Sequence, residues 1–313
     1  MTDLLTKILE INVYLQPVLF FLSIITNTIN VRVLCSHDLR LSACTHYFLA
    51  YAIFNIIYTC LICPTEFLLH FHIDWSTSLV GCRIRAYVML LAPFLARTML
   101  TLASFDRYCS SSHSHRFHVI SEIQSARLII VITTIISIIY MSPLVAIYHR
   151  EETPGACLQY SNLLINMYIF SQILLYYILA PILMVLFGLL TISNVRQLAA
   201  RIGPRVSIVR HRRTGRQLTR LLLLQIGIHL ILTMPFGVIY SMNSFKPSTQ
   251  PSNTSAVRHI LVIWQQCDCF VSFFLYLLSG STYRKHLARI LKLGTHQNHR
   301  IDRSIIQQAE TIQ

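Results

Sequence analysis

Seven long apolar stretches, joined by short polar connections, run along the chain. They lie near residues 13–34, 46–69, 84–108, 127–148, 163–192, 218–243 and 257–280. A hydrocarbon core of roughly 30 Å needs about 20 mainly apolar residues in α-helix, so each stretch is long enough to cross it. Transmembrane β-strands would instead alternate in polarity over about ten residues. The pattern predicts an all-α membrane protein, a bundle of seven transmembrane helices.

Prolines interrupt five of these stretches, at Pro64, Pro93, Pro143, Pro181 and Pro235. Proline would break a helix in water, but membrane bundles tolerate it because neighbouring helices bond to the freed carbonyls. We therefore expect kinks at these positions rather than helix ends.

The distribution of charge sets the orientation of the bundle. Only 12% of the residues are charged, yet the formal net charge is +14. Arginine and lysine are concentrated near 193–217 and after residue 280, and the positive-inside rule places these segments in the cytoplasm with the amino terminus outside. Anionic lipid or a cytosolic partner explains the basic loop, and nucleic-acid binding is not expected.

The chain divides into four parts on this pattern. Residues 1–12 form a short extracellular amino terminus, and residues 13–280 form the transmembrane domain. Apolar and basic residues alternate at helical spacing in 281–293, which predicts an amphipathic eighth helix on the cytoplasmic face. The polar segment 294–313 is expected to be a flexible cytoplasmic tail.

Two of the nine cysteines lie outside the membrane. Cys82 opens the third span and Cys157 follows the fourth, whereas the other seven lie in spans or on the inner side, where thiols stay reduced. A bridge between the two would stabilise the protein by roughly 2–4 kcal/mol. Two unrelated thiols are the alternative.

The triplet Asp106-Arg107-Tyr108 lies at the inner end of the third span. Together with the seven spans, the outside amino terminus and the two external cysteines, it resembles the rhodopsin-like G-protein-coupled receptors over roughly residues 13–293. The resemblance implies a receptor of the plasma membrane that binds an extracellular ligand and couples to a heterotrimeric G protein. It assigns Arg107 to the G-protein cavity, released from Asp106 when the sixth span swings outward.

Other family positions match in part. Pro181, Pro235 and Tyr276 stand where the family has a proline, a proline and a tyrosine, whereas Ile53 replaces the acid of the usual sodium site. The sodium effect is therefore not expected here.

Arg97 lies near mid-membrane, where a charge costs at least about 2.5–3.5 kcal/mol and needs a partner. In the resemblance, Arg97, Pro181 and His229 form the layer that repacks on activation. We predict an Arg97–Asp268 ion pair with His229 nearby, acting as a polar activation switch. A static buried ion pair is the alternative.

The ligand class follows from what the pocket positions carry. Met89 stands where amine receptors of this family have an acid, and residues 257–280 contain no lysine for retinal. Amines and retinal are therefore not expected, and a short peptide, such as a neuropeptide, suits an apolar pocket with a polar rim. The expected ligand-binding residues are Met89, Tyr177, Phe236, Tyr240 and Gln266. Asn253 begins a glycosylation sequon in the last external loop.

One rival interpretation comes from another class of protein. A seven-span transporter or channel would use Arg97 and Asp268 in a substrate or proton path. The sequence contains no P-loop, zinc motif or nucleophile elbow, so neither an enzyme nor a cofactor or metal site is expected.

Overall fold

A computed structural model describes residues 2–71, 78–112, 120–150, 157–159, 162–201, 209–245, 253–279 and 283–290. Within these residues, seven helices are long and apolar enough to cross a membrane. The spans are Glu10–Leu34, Ala43–Leu68, Leu79–Ser111, Ile123–Ile147, Leu163–Gln197, Arg220–Ile239 and Val257–Leu278. The predicted bundle of seven transmembrane helices is confirmed.

Several helices extend beyond the spans that they carry. The first helix runs over Thr2–Leu34, so residues predicted as an amino-terminal segment are helical. The helices of the second, third and sixth spans run over Ala43–His70, Leu79–Ser111 and Val209–Phe245. The third helix has 33 residues and a length of about 50 Å, so one helix reaches both surfaces of the membrane.

The remaining elements are short or interrupted. A helix at His37–Arg40 lies in the first inner connection, and the fourth span consists of Ile123–Met141 and Leu144–Ile147. The fifth span runs from Leu163–Ile173 through a π-helical segment, Leu174–Leu179, into Ala180–Arg201. The seventh consists of Asn253–Gln266 and Asp268–Ser279.

An antiparallel hairpin follows the fourth span, which the hydrophobic pattern did not predict. Strand β1 is Tyr148–Arg150, strand β2 is Cys157–Gln159, and Tyr148 lies opposite Gln159. Strand β1 packs against the helix of the third span. Strands of three residues are too short to produce a readable alternation.

The prolines behave in two ways. Pro64, Pro93 and Pro235 lie inside continuous helices, as expected. The expectation for Pro143 was wrong, because the helix of the fourth span ends at Met141 and a new helix begins at Leu144. Proline has no N–H to continue the ladder of backbone hydrogen bonds, and nothing in the sequence says whether a kink or an end results.

The largest buried cluster joins the inner halves of the bundle. It includes Val33, Tyr47, Met99, Leu222 and Tyr276, from the first, second, third, sixth and seventh spans. The fourth span instead exposes apolar side chains such as Leu128 and Ile139, as expected of a helix that faces lipid.

Residues 283–290 are helical and follow the seventh span. Tyr283 is buried and donates to Asn30 Oδ1 at 2.7 Å, whereas Arg284, Lys285 and Arg289 are exposed. Burial raises the pKa of the Tyr283 hydroxyl above its ordinary value. The full predicted extent of this helix, 281–293, and the tail reach beyond the described residues and stay predictions.

Candidate functional site

A cavity of about 460 Å³ opens between the outer halves of the spans. This volume is in the range of pockets that bind small ligands. Met89, Tyr177 and Phe236 line it, which are three of the five residues predicted to bind a ligand. The side chain of Tyr240, the fourth, lies outside the described part of the chain, as does that of the sequon residue Asn253.

Gln266, the fifth predicted ligand residue, turns toward the first span. Its side chain accepts from Gln16 Nε2 at 3.1 Å, and Gln16 also donates to Asn12 at 2.7 Å. All three side chains are buried. The neighbouring Gln265 lines the cavity instead, because consecutive residues of a helix point about 100° apart.

Cys82 borders the cavity and is disulfide-bonded. Seven other cysteines in the described part of the chain are free. Cys157 lies in strand β2, opposite Arg150, and its side chain is outside the described residues. The pairing of Cys82 with Cys157 stays a prediction, and the hairpin against the third span is placed where such a bridge would hold it.

Arg97 is almost fully buried, with 2% of its surface exposed, and it contacts the fifth span. Its Nη1 donates to the Tyr176 carbonyl at 3.1 Å, and its guanidinium lies 3.5 Å from the centre of the Tyr176 ring. Its Nε has no hydrogen-bond partner among the described residues. The charge is thus stabilised by a carbonyl and an aromatic face.

Pro181 explains why the Tyr176 carbonyl has no backbone donor. In the π-helical segment the Ala180 N–H donates to the Leu175 carbonyl, five residues back. The next bond in this pattern would run from residue 181 to the Tyr176 carbonyl, but proline has no N–H. A buried carbonyl without a donor is costly, and the Arg97 guanidinium supplies the donor.

The predicted Arg97–Asp268 ion pair was wrong. Asp268 Oδ2 instead lies 2.7 Å from His229 Nδ1 and accepts from the Tyr51 hydroxyl at 3.2 Å. Arg97 and Asp268 lie at similar depth along their helices, but the rotation of the third helix directs the guanidinium to the fifth span. The part of the prediction that placed His229 near Asp268 is confirmed.

Asp268 owes its position to a break in the seventh span. The Cys267 N–H donates to the Trp264 carbonyl, three residues back, and a new helix begins at Asp268. Asn27 of the first span donates to the Cys269 carbonyl at 2.6 Å, so the turn is held from the side.

A second contact joins the sixth and seventh spans below this level. The Tyr276 hydroxyl donates to Gln225 Oε1 at 3.2 Å, and both residues are buried. Tyr276 was predicted from the sequence, whereas Gln225, Tyr51 and Tyr176 were not. Of these, only Tyr176 carries a sequence signal, since it lies five residues before Pro181.

The inner end of the third span carries an ion pair between neighbours. Arg107 Nη2 lies 2.7 Å from Asp106 Oδ2 and 3.2 Å from Ser42 Oγ, while Ser121 Oγ donates to Asp106 Oδ1 at 2.8 Å. Asp106 and Arg107 are 3% and 8% exposed. The Tyr108 ring stacks on Phe187 of the fifth span, with ring centres 5.9 Å apart.

The sequence profile of the family described as 7 transmembrane receptor (rhodopsin family) matches residues 26–276, which is most of the chain. The chain belongs to this family. It is 25% identical over 225 residues to the somatostatin receptor type 4 of Rattus norvegicus, an alignment that covers 70% of this chain and 56% of that receptor. The protein is therefore a multi-pass receptor of the plasma membrane. The family match favours the receptor interpretation over the transporter or channel interpretation.

Proposed function

We propose that this receptor binds an extracellular peptide in the outer cavity and activates a heterotrimeric G protein at its inner end. The volume and mixed lining of the cavity suit the end of a short peptide. The similar rat protein is named as a receptor for somatostatin, which supports a peptide-type ligand.

The observation that carries the proposal is one continuous helix with both sites on it. Met89 lines the outer cavity and Arg107 lies at the inner end of the helix Leu79–Ser111. The two positions are about 27 Å apart along the helix axis. A shift of the third span at the cavity therefore also displaces the Asp106–Arg107 pair.

Two hydrogen bonds between side chains connect the sixth span to the seventh in the described residues. One is the His229–Asp268 contact near mid-membrane, and the other is the Tyr276–Gln225 hydrogen bond. Both must lengthen or exchange partners if the sixth span moves outward. We propose that they stabilise the resting state, and that a ligand acts against them.

The cavity reaches this layer through the fifth span. Tyr176 and Tyr177 line the cavity, and the Tyr176 carbonyl and ring hold the guanidinium of Arg97. A ligand that displaces these rings changes the support of a buried charge. The proposed switch is therefore the Arg97–Tyr176 contact and not an Arg97–Asp268 ion pair.

At the inner end, Arg107 is the proposed contact of the G protein. Its guanidinium is restrained by Asp106 and Ser42, and Asp106 is in turn held by Ser121. When the sixth span moves outward, the freed guanidinium borders the cavity for the carboxy-terminal helix of the G protein.

The test is a peptide-library screen in cells with a promiscuous G-protein readout and surface expression measured in parallel. Arg107→Ala should lower the maximal response at least about tenfold. Arg127→Ala is the matched control, because Arg127 is an exposed inner arginine whose described partner is His46 at 3.3 Å. It should respond as the wild type does.

A second variant separates signalling from folding. Removal of Arg107 alone leaves the Asp106 carboxylate buried without its partner, which is strongly destabilising. Asp106→Asn with Arg107→Gln removes both charges and should reach the surface without signalling. An unchanged response in either variant, or no response of the wild type to any peptide, would contradict the proposal.

A further inference from the structure

The charges of the described residues that line the outer cavity do not cancel. Among the described residues that line it, three carry a full charge: Glu66, Arg85 and Arg258. Arg85 Nη2 lies 3.8 Å from Glu66 Oε1, so these two charges offset each other. Arg258 is exposed and has no ion pair within the described part of the chain. The described lining therefore carries one positive charge in excess.

Arg258 belongs to a regular face of the seventh span. Arg258, Val262 and Gln265 recur at helical spacing, four and then three residues apart, and all three line the cavity. The face thus presents a guanidinium at the outer rim, an apolar side chain in the middle and an amide deeper in. A carboxylate can accept hydrogen bonds from both guanidinium and amide N–H groups.

Among the described lining residues, a cationic ligand end finds one carboxylate, that of Glu66, and it already faces Arg85. Met89 contributes an apolar side chain to the wall. The rest of the lining is mostly apolar or aromatic, including Tyr58, Phe94 and Phe236. The cavity thus complements an apolar or aromatic group that carries a negative charge beside it.

We infer that the outer cavity selects a ligand whose inserted end carries a carboxylate next to an apolar or aromatic side chain, and that Arg258 binds this carboxylate. The inference rests on the proposed receptor function and names the ligand class of the same cavity. A planar guanidinium pairs with a carboxylate through two parallel hydrogen bonds, which gives geometric selectivity as well as attraction. A peptide with a free carboxyl terminus is the expected source of this group.

The experiment measures binding on the purified full-length receptor in detergent by thermal stabilisation, which needs no G protein. The probes are short peptides that end in each aromatic or aliphatic residue, made as free acids and as matched carboxamides. Medium-chain carboxylic acids form a separate arm that carries the same charged group on a small molecule. The free acids should stabilise the receptor, with affinity at least about tenfold above that of the carboxamides.

Arg258→Gln should lower the affinity for the best free acid about tenfold or more and leave that for its carboxamide unchanged. Arg258→Lys keeps the positive charge but not the planar guanidinium. Its affinity for the free acid should therefore fall less than that of Arg258→Gln. Arg83→Gln is the matched control. Arg83 is an arginine at the outer end of the third span and is not among the described residues that line the cavity. It should bind as the wild type does.

Three results would overturn the inference: equal binding of acids and carboxamides, acid selectivity that persists in Arg258→Gln, and no stabilisation by any acid. Stabilisation by medium-chain acids as strong as that by peptides would support the carboxylate site and place it on a small molecule. Acid-selective binding without any G-protein response would uphold this inference and count against the proposed function. A G-protein response to carboxamides alone would do the reverse.

Discussion

Replacement of Arg97 by methionine tests whether this buried charge is there to bind the carbonyl that Pro181 leaves free. The guanidinium donates to the Tyr176 carbonyl at 3.1 Å and lies 3.5 Å from the centre of the Tyr176 ring. In Arg97→Met the carbonyl loses its donor. In Pro181→Ala, residue 181 regains an N–H that can complete the backbone ladder, and Arg97 is no longer needed there.

The expected magnitudes follow from these contacts. A hydrogen bond from a charged donor contributes about 1.5–3 kcal/mol, and a desolvated cation–π contact about 2 kcal/mol. Removal of the Arg97 charge also removes the cost of placing that charge in the membrane, which is at least about 2.5–3.5 kcal/mol. These opposing effects are similar in size, so the informative quantity is the coupling between the two substitutions. We expect Arg97→Met to be about 1–3 kcal/mol less costly when Pro181 is already alanine.

The assay is a double-mutant cycle on the purified receptor, with denaturation followed in detergent for the wild type, both single variants and the double variant. Arg97→Lys is the control, because lysine keeps the charge but not the planar group that lies on the Tyr176 ring. Additive effects of Arg97→Met and Pro181→Ala would refute the reasoning. So would Arg97→Lys with the stability of the wild type.

Two further predictions concern packing and pH. A Cβ at position 237 would clash with the Tyr177 ring, so Gly237→Ala should cost about 1–3 kcal/mol and weaken ligand binding, whereas Gly227→Ala, which meets nothing in the same helix, should be neutral or stabilising in the same melting and binding assays. Weakened binding in both would argue against a steric cause. Because burial raises the pKa of Tyr283, the folded state keeps that hydroxyl neutral. Its stabilising effect is present below the ordinary tyrosine pKa of about 10 and is lost as pH rises through the folded-state pKa. Tyr283→Phe should therefore lower the free energy of unfolding at neutral pH by about 1 kcal/mol. The difference from the wild type should be smaller at alkaline pH, as melting curves against pH would measure. Parallel curves for the two proteins would count against it.

The architecture was readable because a bilayer imposes length and polarity on every crossing segment. The apolar stretches near 84–108 and 127–148 correspond to the spans Leu79–Ser111 and Ile123–Ile147. The basic residues on alternate connections set the orientation. The hairpin of β1 and β2 and the helix end at Met141 carried no comparable signal, because both depend on local contacts.

The candidate site was readable only in its parts. The motif around Arg107 predicted a pair with Asp106, since adjacent opposite charges at a helix end have few other partners, and the distance of 2.7 Å agrees. For Arg97, the apolar span around it indicated its depth and its need for a partner, but the predicted partner was wrong. Asp268 was already held by His229 and Tyr51.

The sequence by itself determined which segments cross the membrane, in which direction, and that buried charges had to be compensated. Only the tertiary structure decided which groups compensate them, because a partner depends on how each helix is rotated and where it is interrupted. The free carbonyl of Tyr176 illustrates both: Pro181 creates it through local chemistry, but packing of the third helix against the fifth brings Arg97 to it.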